Sequence, residues 1–348
     1  MERIACITPP DEHAMQAARG HWNSIAKPLK SLGLLEEAVV KIAGITGSEQ
    51  ISIEKRCVVV WCADNGVVAQ GVSQSGSEVT GLVAESMAQG DSNINHMAAC
   101  FGAEVLTIDI GMQEECRQPG IRNLKIAYGT GDISKGPAMT RAQAIAGICA
   151  GIDSVRERKQ KGYEILITGE MGIGNTTTAS AIAAVLLGES VEAVTGRGAG
   201  LDQPGLIRKR EVIAKALEIN RPQKEDAIDL LARVGGYDIA GMMGMFLGGA
   251  IYHMPIVIDG FISAVAAALA VQLQPIVRDY MLCSHVSKEP AASRMLELLR
   301  QEPLIHAQMS LGEGTGGVLL LPLLDAALSV YHSPHSFQKL QMEAYQEL

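Results

Sequence analysis

An α/β fold, with a mainly parallel sheet and helices on both faces, is predicted by three features of this 348-residue chain. Several apolar runs, "CVVVW" at 57–61 foremost, are continuous rather than alternating, as expected of strands covered on both faces. Alanine- and leucine-rich helical stretches separate most of these runs, and strand–helix alternation implies parallel pairing. Aromatic residues make up 4% of the chain and glycines number 37, a composition that suits a tightly turned α/β fold better than an all-β sandwich.

Residues 13–43 read as two helical segments broken at "KPLKSLG", where Pro28 and Gly33 interrupt the pattern. Strands are expected at "RCVVVWCADNGV", "EVLTIDIG", "NLKIAYGTG", "YEILITGE", "EAVTGRG" and "MPIVIDG". The helices between them span Arg141–Lys161, Thr177–Leu187, Ile207–Asn220 and Ser263–Gln272. After Tyr280 the pattern is helical only. The N-terminal helices lack partners of their own, so the two chain ends are expected to meet. The predicted division is a large α/β domain over 36–284 and a small helical domain from 1–35 together with 285–348.

Composition excludes several classes. Hydrophobic residues are 47% of the chain, enough for a substantial core. A net charge of −9 without a basic block argues against a nucleic-acid surface. The seven cysteines include no CxxC pair, and most sit in apolar runs, so reduced buried thiols are expected. Eight histidines show neither HxxxH nor HxH spacing, and no metal or other cofactor is expected. No signal-length apolar stretch opens the chain, and no run reaches the ~18 apolar residues of a membrane span. A cytoplasmic protein is the expectation.

Polar turns directly follow five of the apolar runs: Asp64-Asn65-Gly66, Asp109, Gly169-Glu170, Gly196-Arg197-Gly198 and Asp259-Gly260. Ligands of open, Rossmann-like sheets bind outside the carboxyl ends of the strands, so these turns predict one shared cleft. Within "GEMGIGNTTTASA", Gly172 and Gly174 permit close backbone approach, and Asn175, Thr176 and Thr177 supply polar side chains where a helix begins. A helix start favours an anion, and without the lysine of a triphosphate loop a single monoester phosphate fits best. The same residues also fit a Thr176 that only caps the helix. In "MSLGEGTGGVLLLP", Glu313 lies between Gly312 and Gly314. It is either a carboxylate favouring a helix start or a desolvated general base; the residues alone support both.

The ordered set "KPLKSLGLLE", "CADNGV", "GPAMTRAQA", "GEMGIGNTTTASAI", "GRGAGLD", "VGGYDIAGMMG", "DGFISAVAA" and "LGEGTGG" resembles the nicotinate-nucleotide-dimethylbenzimidazole phosphoribosyltransferases over nearly the whole chain. The resemblance implies transfer of the phosphoribosyl group of nicotinate mononucleotide to an aromatic base, by a homodimer with a large α/β and a small helical domain. It implies Glu313 as general base and Glu170 as an acidic active-site residue. Gly172 to Thr177, Gly198 and Lys209 would lie around the phosphate and ribose, and Ser75, Val83 and Leu311 at the base pocket. Asn65 stands where the family often has histidine, and Val83 where a glutamine is common, which makes that wall more apolar. Relatives acting on purines or phenols keep a different acceptor open, as does a non-catalytic subunit of a heteromer.

That chemistry accounts for what the sequence lacks. The nicotinate nitrogen bonded to C1′ is already a cationic pyridinium and leaves as a neutral pyridine, so neither a general acid nor a metal is required. The chain also has no Asp-Asp pair of the kind used with diphosphate-activated sugars. Other polar and sulfur residues have structural readings: Trp61 and Cys62 as core, and Arg197 and Asp202 as supports of their turn. Met242, Met243 and Met245 read as core or as an adaptable wall for a base. Lys209, in the run "RKRE", would by itself be placed on a solvated helix face.

Overall fold

The computed structural model describes residues 2–115 and 118–346. Helices α1 (Glu2–Ala5), α2 (Glu12–Ser24) and α3 (Leu34–Thr46) precede strand β1 (Arg56–Ala63). Then come α4 (Glu78–Gln89), α5 (Asn93–Cys100), β2 (Ala103–Gly111), β3 (Ile121–Asn123), α6 (Arg141–Gln160) and β4 (Ile165–Met171). Helices α7 (Asn175–Leu187), α8 (Val191–Val194), α9 (Gln203–Asn220), α10 (Ala227–Val234) and α11 (Tyr237–Tyr252) lead to β5 (Ile256–Ile258). The chain closes with α12 (Phe261–Leu273), β6 (Met281–Cys283), α13 (Ala292–Leu299) and α14 (Thr315–Tyr331).

The six strands form one sheet in the order β3-β2-β1-β4-β5-β6, and every pairing is parallel. Continuous apolar runs are explained by the two cores on its faces. Cys57, Val59, Trp61 and Ala63 of β1 join one cluster with α11 and α12; Val58, Val60 and Cys62 join another with Val39, Ile42, Leu320, Leu321 and Leu324. Burial of both faces removes the polar alternation of a half-exposed strand. Trp61 and Cys62 are fully buried, and the indole of Trp61 donates to Met245 Sδ at 2.9 Å.

Segments near the two ends of the chain touch. The Trp22 ring lies edge-on to Tyr331, with centroids 5.0 Å apart, and Ile25 bridges Ser336. Helices α3 and α14 at these ends also cover one sheet face through the second core.

Several elements differ from the sequence expectation. "EAVTGRG" is not a strand: Ser190 caps the single turn α8 by accepting from Ala193 N, and a loop follows. Of "NLKIAYGTG" only Asn123 is in a strand; β3 is Ile121–Asn123. A strand lies where helices alone were expected, since Met281–Cys283 pairs with β5 after a 3-10 turn at Pro275–Tyr280. Helix α9 begins at Gln203, before Ile207, because Asp202 caps it and Pro204 suits its first turn. Among the described cysteines, Cys57, Cys62 and Cys283 are buried thiols, whereas Cys6, Cys100 and Cys149 are exposed. No helix of the described residues is long and apolar enough to cross a membrane.

Candidate active site

A cleft of about 270 Å³ opens at the carboxyl ends of β4, β5 and β6. Residues 168–176, 259–263 and 310–313 form most of its wall, and the loops carrying Gln74, Arg197 and His285 complete it. Three of the five rim turns therefore converge, those at Gly169-Glu170, Arg197-Gly198 and Asp259-Gly260. The other two are occupied by structure. Asp64 Oδ2 accepts from Gln113 N at 2.8 Å, and Asp109 pairs with Lys125 at 3.1 Å.

At one end of the cleft is the glycine-rich loop. Gly174 has φ +91°, and a Cβ there would lie 2.7 Å from Val68 Cγ2, so glycine is required on both counts. Helix α7 starts immediately after it. Lys209 Nζ donates to Thr176 Oγ1 at 2.8 Å. Gly198, at φ +54°, faces the same pair: a Cβ there would lie 2.7 Å from Thr176 Oγ1 and 3.3 Å from Lys209 Nζ. A helix start, a hydroxyl and an ammonium group thus converge, which is the chemistry of an anion site. Lys209 is fully buried rather than on a solvated face. Burial lowers its pKa to about 8, opposed by the Glu289 carboxylate.

Neighbouring loop residues have other tasks. Asn175 is buried, and its Nδ2 donates to Glu170 and, at 2.9 Å, to Asp238 Oδ2. Thr177 is wholly buried and does not border the cleft; its Oγ1 has no hydrogen-bond partner. Gly172 borders the cleft, but what demands glycine there is the wall behind: a Cβ would meet Ala63 O at 2.5 Å and Asp238 Oδ2 at 2.8 Å.

At the other end, Gly312, Glu313 and Gly314 have φ of 86°, 62° and 93°, three consecutive left-handed residues. For a glutamate this backbone costs free energy and must be held from outside. Asp259 holds it, accepting from Gly314 N at 3.2 Å and from Gly317 N at 2.9 Å. The turn also packs against β4, since a Cβ on Gly312 would lie 2.6 Å from Glu170 Oε1. Glu313 is 8% exposed, and its Oε2 accepts from Ile94 N at 3.2 Å in the first turn of α5. Burial raises its pKa above the usual carboxylate value, the Ile94 bond opposes the rise, and Asp259 adds to it.

Leu311 borders the cleft and is half exposed. Ser75 is next to the cleft-lining Gln74 without bordering the cleft itself, and Val83 on α4 packs against the second core. Met242 contributes to the cleft wall. Arg197 donates to Leu201 O and Gln203 Oε1, both at 2.7 Å, and so supports its own turn.

Ser263, His285, Ser287 and Glu289 also border the cleft and were not singled out from the sequence. Three of them follow β6, and the polar run "SHVSKE" after the apolar triad Met281–Cys283 was the available signal. Among the described residues, no group of three or more His, Cys, Asp or Glu is placed to hold a metal ion.

A phosphoribosyltransferase family model matches residues 7–341. The chain belongs to this family. It is 44% identical, over 347 residues, to the nicotinate-nucleotide-dimethylbenzimidazole phosphoribosyltransferase of Ruminiclostridium cellulolyticum, covering 100% of this chain and 99% of that one. The protein of the same name from Acetivibrio thermocellus is 44% identical, with 95% of each chain covered. The crystal structure of CobT from Thermus thermophilus superposes with a TM-score of 0.90 at 37% identity, covering 96% of this chain and 100% of that chain. Both the fold and the family expected from the motifs are thereby established.

Proposed function

We infer that the chain transfers the phosphoribosyl group of nicotinate mononucleotide to 5,6-dimethylbenzimidazole or a related base. Nicotinate is released and an α-ribazole 5′-phosphate type nucleotide is formed for cobamide assembly. Full-length similarity to enzymes of that name supports the reaction. The observation that carries the residue roles is that one cleft contains both Glu313 and the Gly172–Thr176 loop, with the Lys209 ammonium on Thr176.

The donor's 5′-phosphate would lie at the start of α7, against Thr176, Lys209 and Gly198. Its C1′ would face the Gly312–Gly314 turn. As a nitrogen of the base bonds to C1′, the C1′–nicotinate bond breaks, and its electron pair neutralises the departing pyridinium. Glu313 accepts the N–H proton that the incoming base must lose. Attack from the side opposite nicotinate inverts C1′ from β to α. A positioned base contributes about 10²–10⁴ in rate, and alignment of the two substrates contributes much of the rest. Glu170 would face the ribose, and Leu311, Met242 and the loop before α4 would flank the base.

We further propose a homodimer, which the mass of the purified protein in solution tests. The domain division at 36–284 is likewise a proposal. For the reaction, the protein is incubated with nicotinate mononucleotide and an equimolar mixture of dimethylbenzimidazole, adenine and a phenol. Nicotinate release with the benzimidazole nucleotide as main product is expected. Release with another nucleotide would change the acceptor, and no release would leave a binding subunit.

A further inference from the structure

Behind the cleft, two carboxylates share one amide. Asn175 Nδ2 has two hydrogens; one goes to Glu170 Oε2 and the other to Asp238 Oδ2 at 2.9 Å. Glu170 borders the cleft, whereas Asp238, at the start of α11, is fully buried and does not. Glycines enclose Asp238 on two sides. A Cβ on Gly172 would lie 2.8 Å from its Oδ2, and one on Gly236 would lie 2.4 Å from its Oδ1. Its Oδ1 accepts from Ile239 N at 2.9 Å. Nearby Asn65 Oδ1, 2.8 Å from the same Gly236 Cβ position, is buried without a partner. The Asp238 hydrogen bond to Asn175 connects this buried acid to Glu170 at the cleft.

We propose that Asp238, held beside Glu170 by the shared Asn175 amide, is a positioning residue whose charge keeps Glu170 protonated and able to donate a hydrogen bond to the anionic donor nucleotide. This inference rests on the donor being a nucleotide monophosphate, as read above. Two ionised carboxylates bridged by one amide in a desolvated site repel each other, so one proton is retained between them. Burial comes first in raising Glu170 and the Asp238 charge second; the Asn175 hydrogen bond opposes the rise, and Asp259 and Glu313 add to it. Asp238 itself is raised only to about 6, by burial, with Asn175 and Ile239 opposing and Asp64 adding. Asp238 accepts from both Asn175 Nδ2 and Ile239 N, whereas Glu170 accepts from Asn175 Nδ2, so the negative charge is better held on Asp238 and the proton on Glu170. A neutral Glu170 presents a donor where an ionised one would repel the phosphate and carboxylate of nicotinate mononucleotide.

The experiment is the dissociation constant of nicotinate mononucleotide without acceptor, from pH 5.5 to 9, for the wild type, Asp238→Asn, Glu170→Gln and the double variant. Affinity should weaken at high pH as Glu170 ionises, and Asp238→Asn should move that weakening down by about one pH unit. Lys209 loses its charge near pH 8 in all four proteins, so its contribution cancels between them. In the Glu170→Gln background, Asp238→Asn should cause no further shift. An equal shift in that background, or no shift in either, overturns the proposal. If Asp238→Asn fails to fold, Glu170→Gln decides alone. It should match the wild type below neutral pH and bind more tightly above it; uniformly weaker binding overturns the proposal. Failure of the wild type to bind the nucleotide at any pH would instead refute the donor assignment.

Discussion

Lys209 Nζ donates to Thr176 Oγ1 at 2.8 Å, tying the middle of α9 to the first turn of α7. Both side chains are held against the backbone of Gly198, so the ammonium is fixed before any ligand arrives. Replacing Lys209 by methionine should weaken binding of nicotinate mononucleotide at least about tenfold, with a smaller effect on the acceptor. The wild-type ammonium, lowered to about 8, is present below that pH and lost above it, so donor affinity should fall through that range. In Lys209→Arg this part of the loss should vanish, because arginine stays charged. Calorimetric titration across pH measures both.

Glu313→Gln should reduce kcat by about 10²–10⁴ while nicotinate mononucleotide still binds. As a base, Glu313 works only when ionised, and its pKa is raised, so wild-type activity should fall as pH drops through a midpoint above the usual carboxylate value. Steady-state rates against pH check this. Near-normal turnover in the variant would remove Glu313 from the mechanism.

Gly174 has no room for a side chain and sits in a left-handed conformation. Gly174→Val should cost about 1–3 kcal/mol locally and weaken donor binding by tenfold or more, with acceptor affinity changed far less. A larger effect on the acceptor would count against a phosphate at this loop. Separate binding titrations with the two substrates distinguish the outcomes.

Asp238 should lower stability at neutral pH. Its pKa is raised from 3.8 to about 6 by burial, so the fold favours the protonated acid. That favourable contribution is present at low pH and is lost as pH rises through about 6. Asp238→Asn should then be more stable than the wild type at pH 8, by on the order of 1–3 kcal/mol, with the gap closing toward pH 4. Thermal melts at the two pH values test it; a lower melting temperature for the variant at pH 8 would contradict the assignment.

What the sequence by itself determined is whatever depends on local pattern. Runs such as Val58–Trp61 pointed to strands covered on both faces, and the glycines around Glu313 and before Thr176 marked backbone that turns sharply beside polar groups. The strand β6 was invisible because three residues are too few to set a period, and its pairing with β5 comes from distant chain. With it, the residues from His285 to Glu289 went unnoticed. Tertiary structure also decided which way side chains face. Lys209 lies in a charged run yet is buried, since Thr176 and Glu289 reach it from elsewhere in the chain. Asn175 follows a glycine loop yet gives its amide to Glu170 and Asp238 rather than to the cleft. Spacing along a chain reports which groups are available. Their partners, and the burial that alters their charge, depend on contacts between segments far apart in sequence.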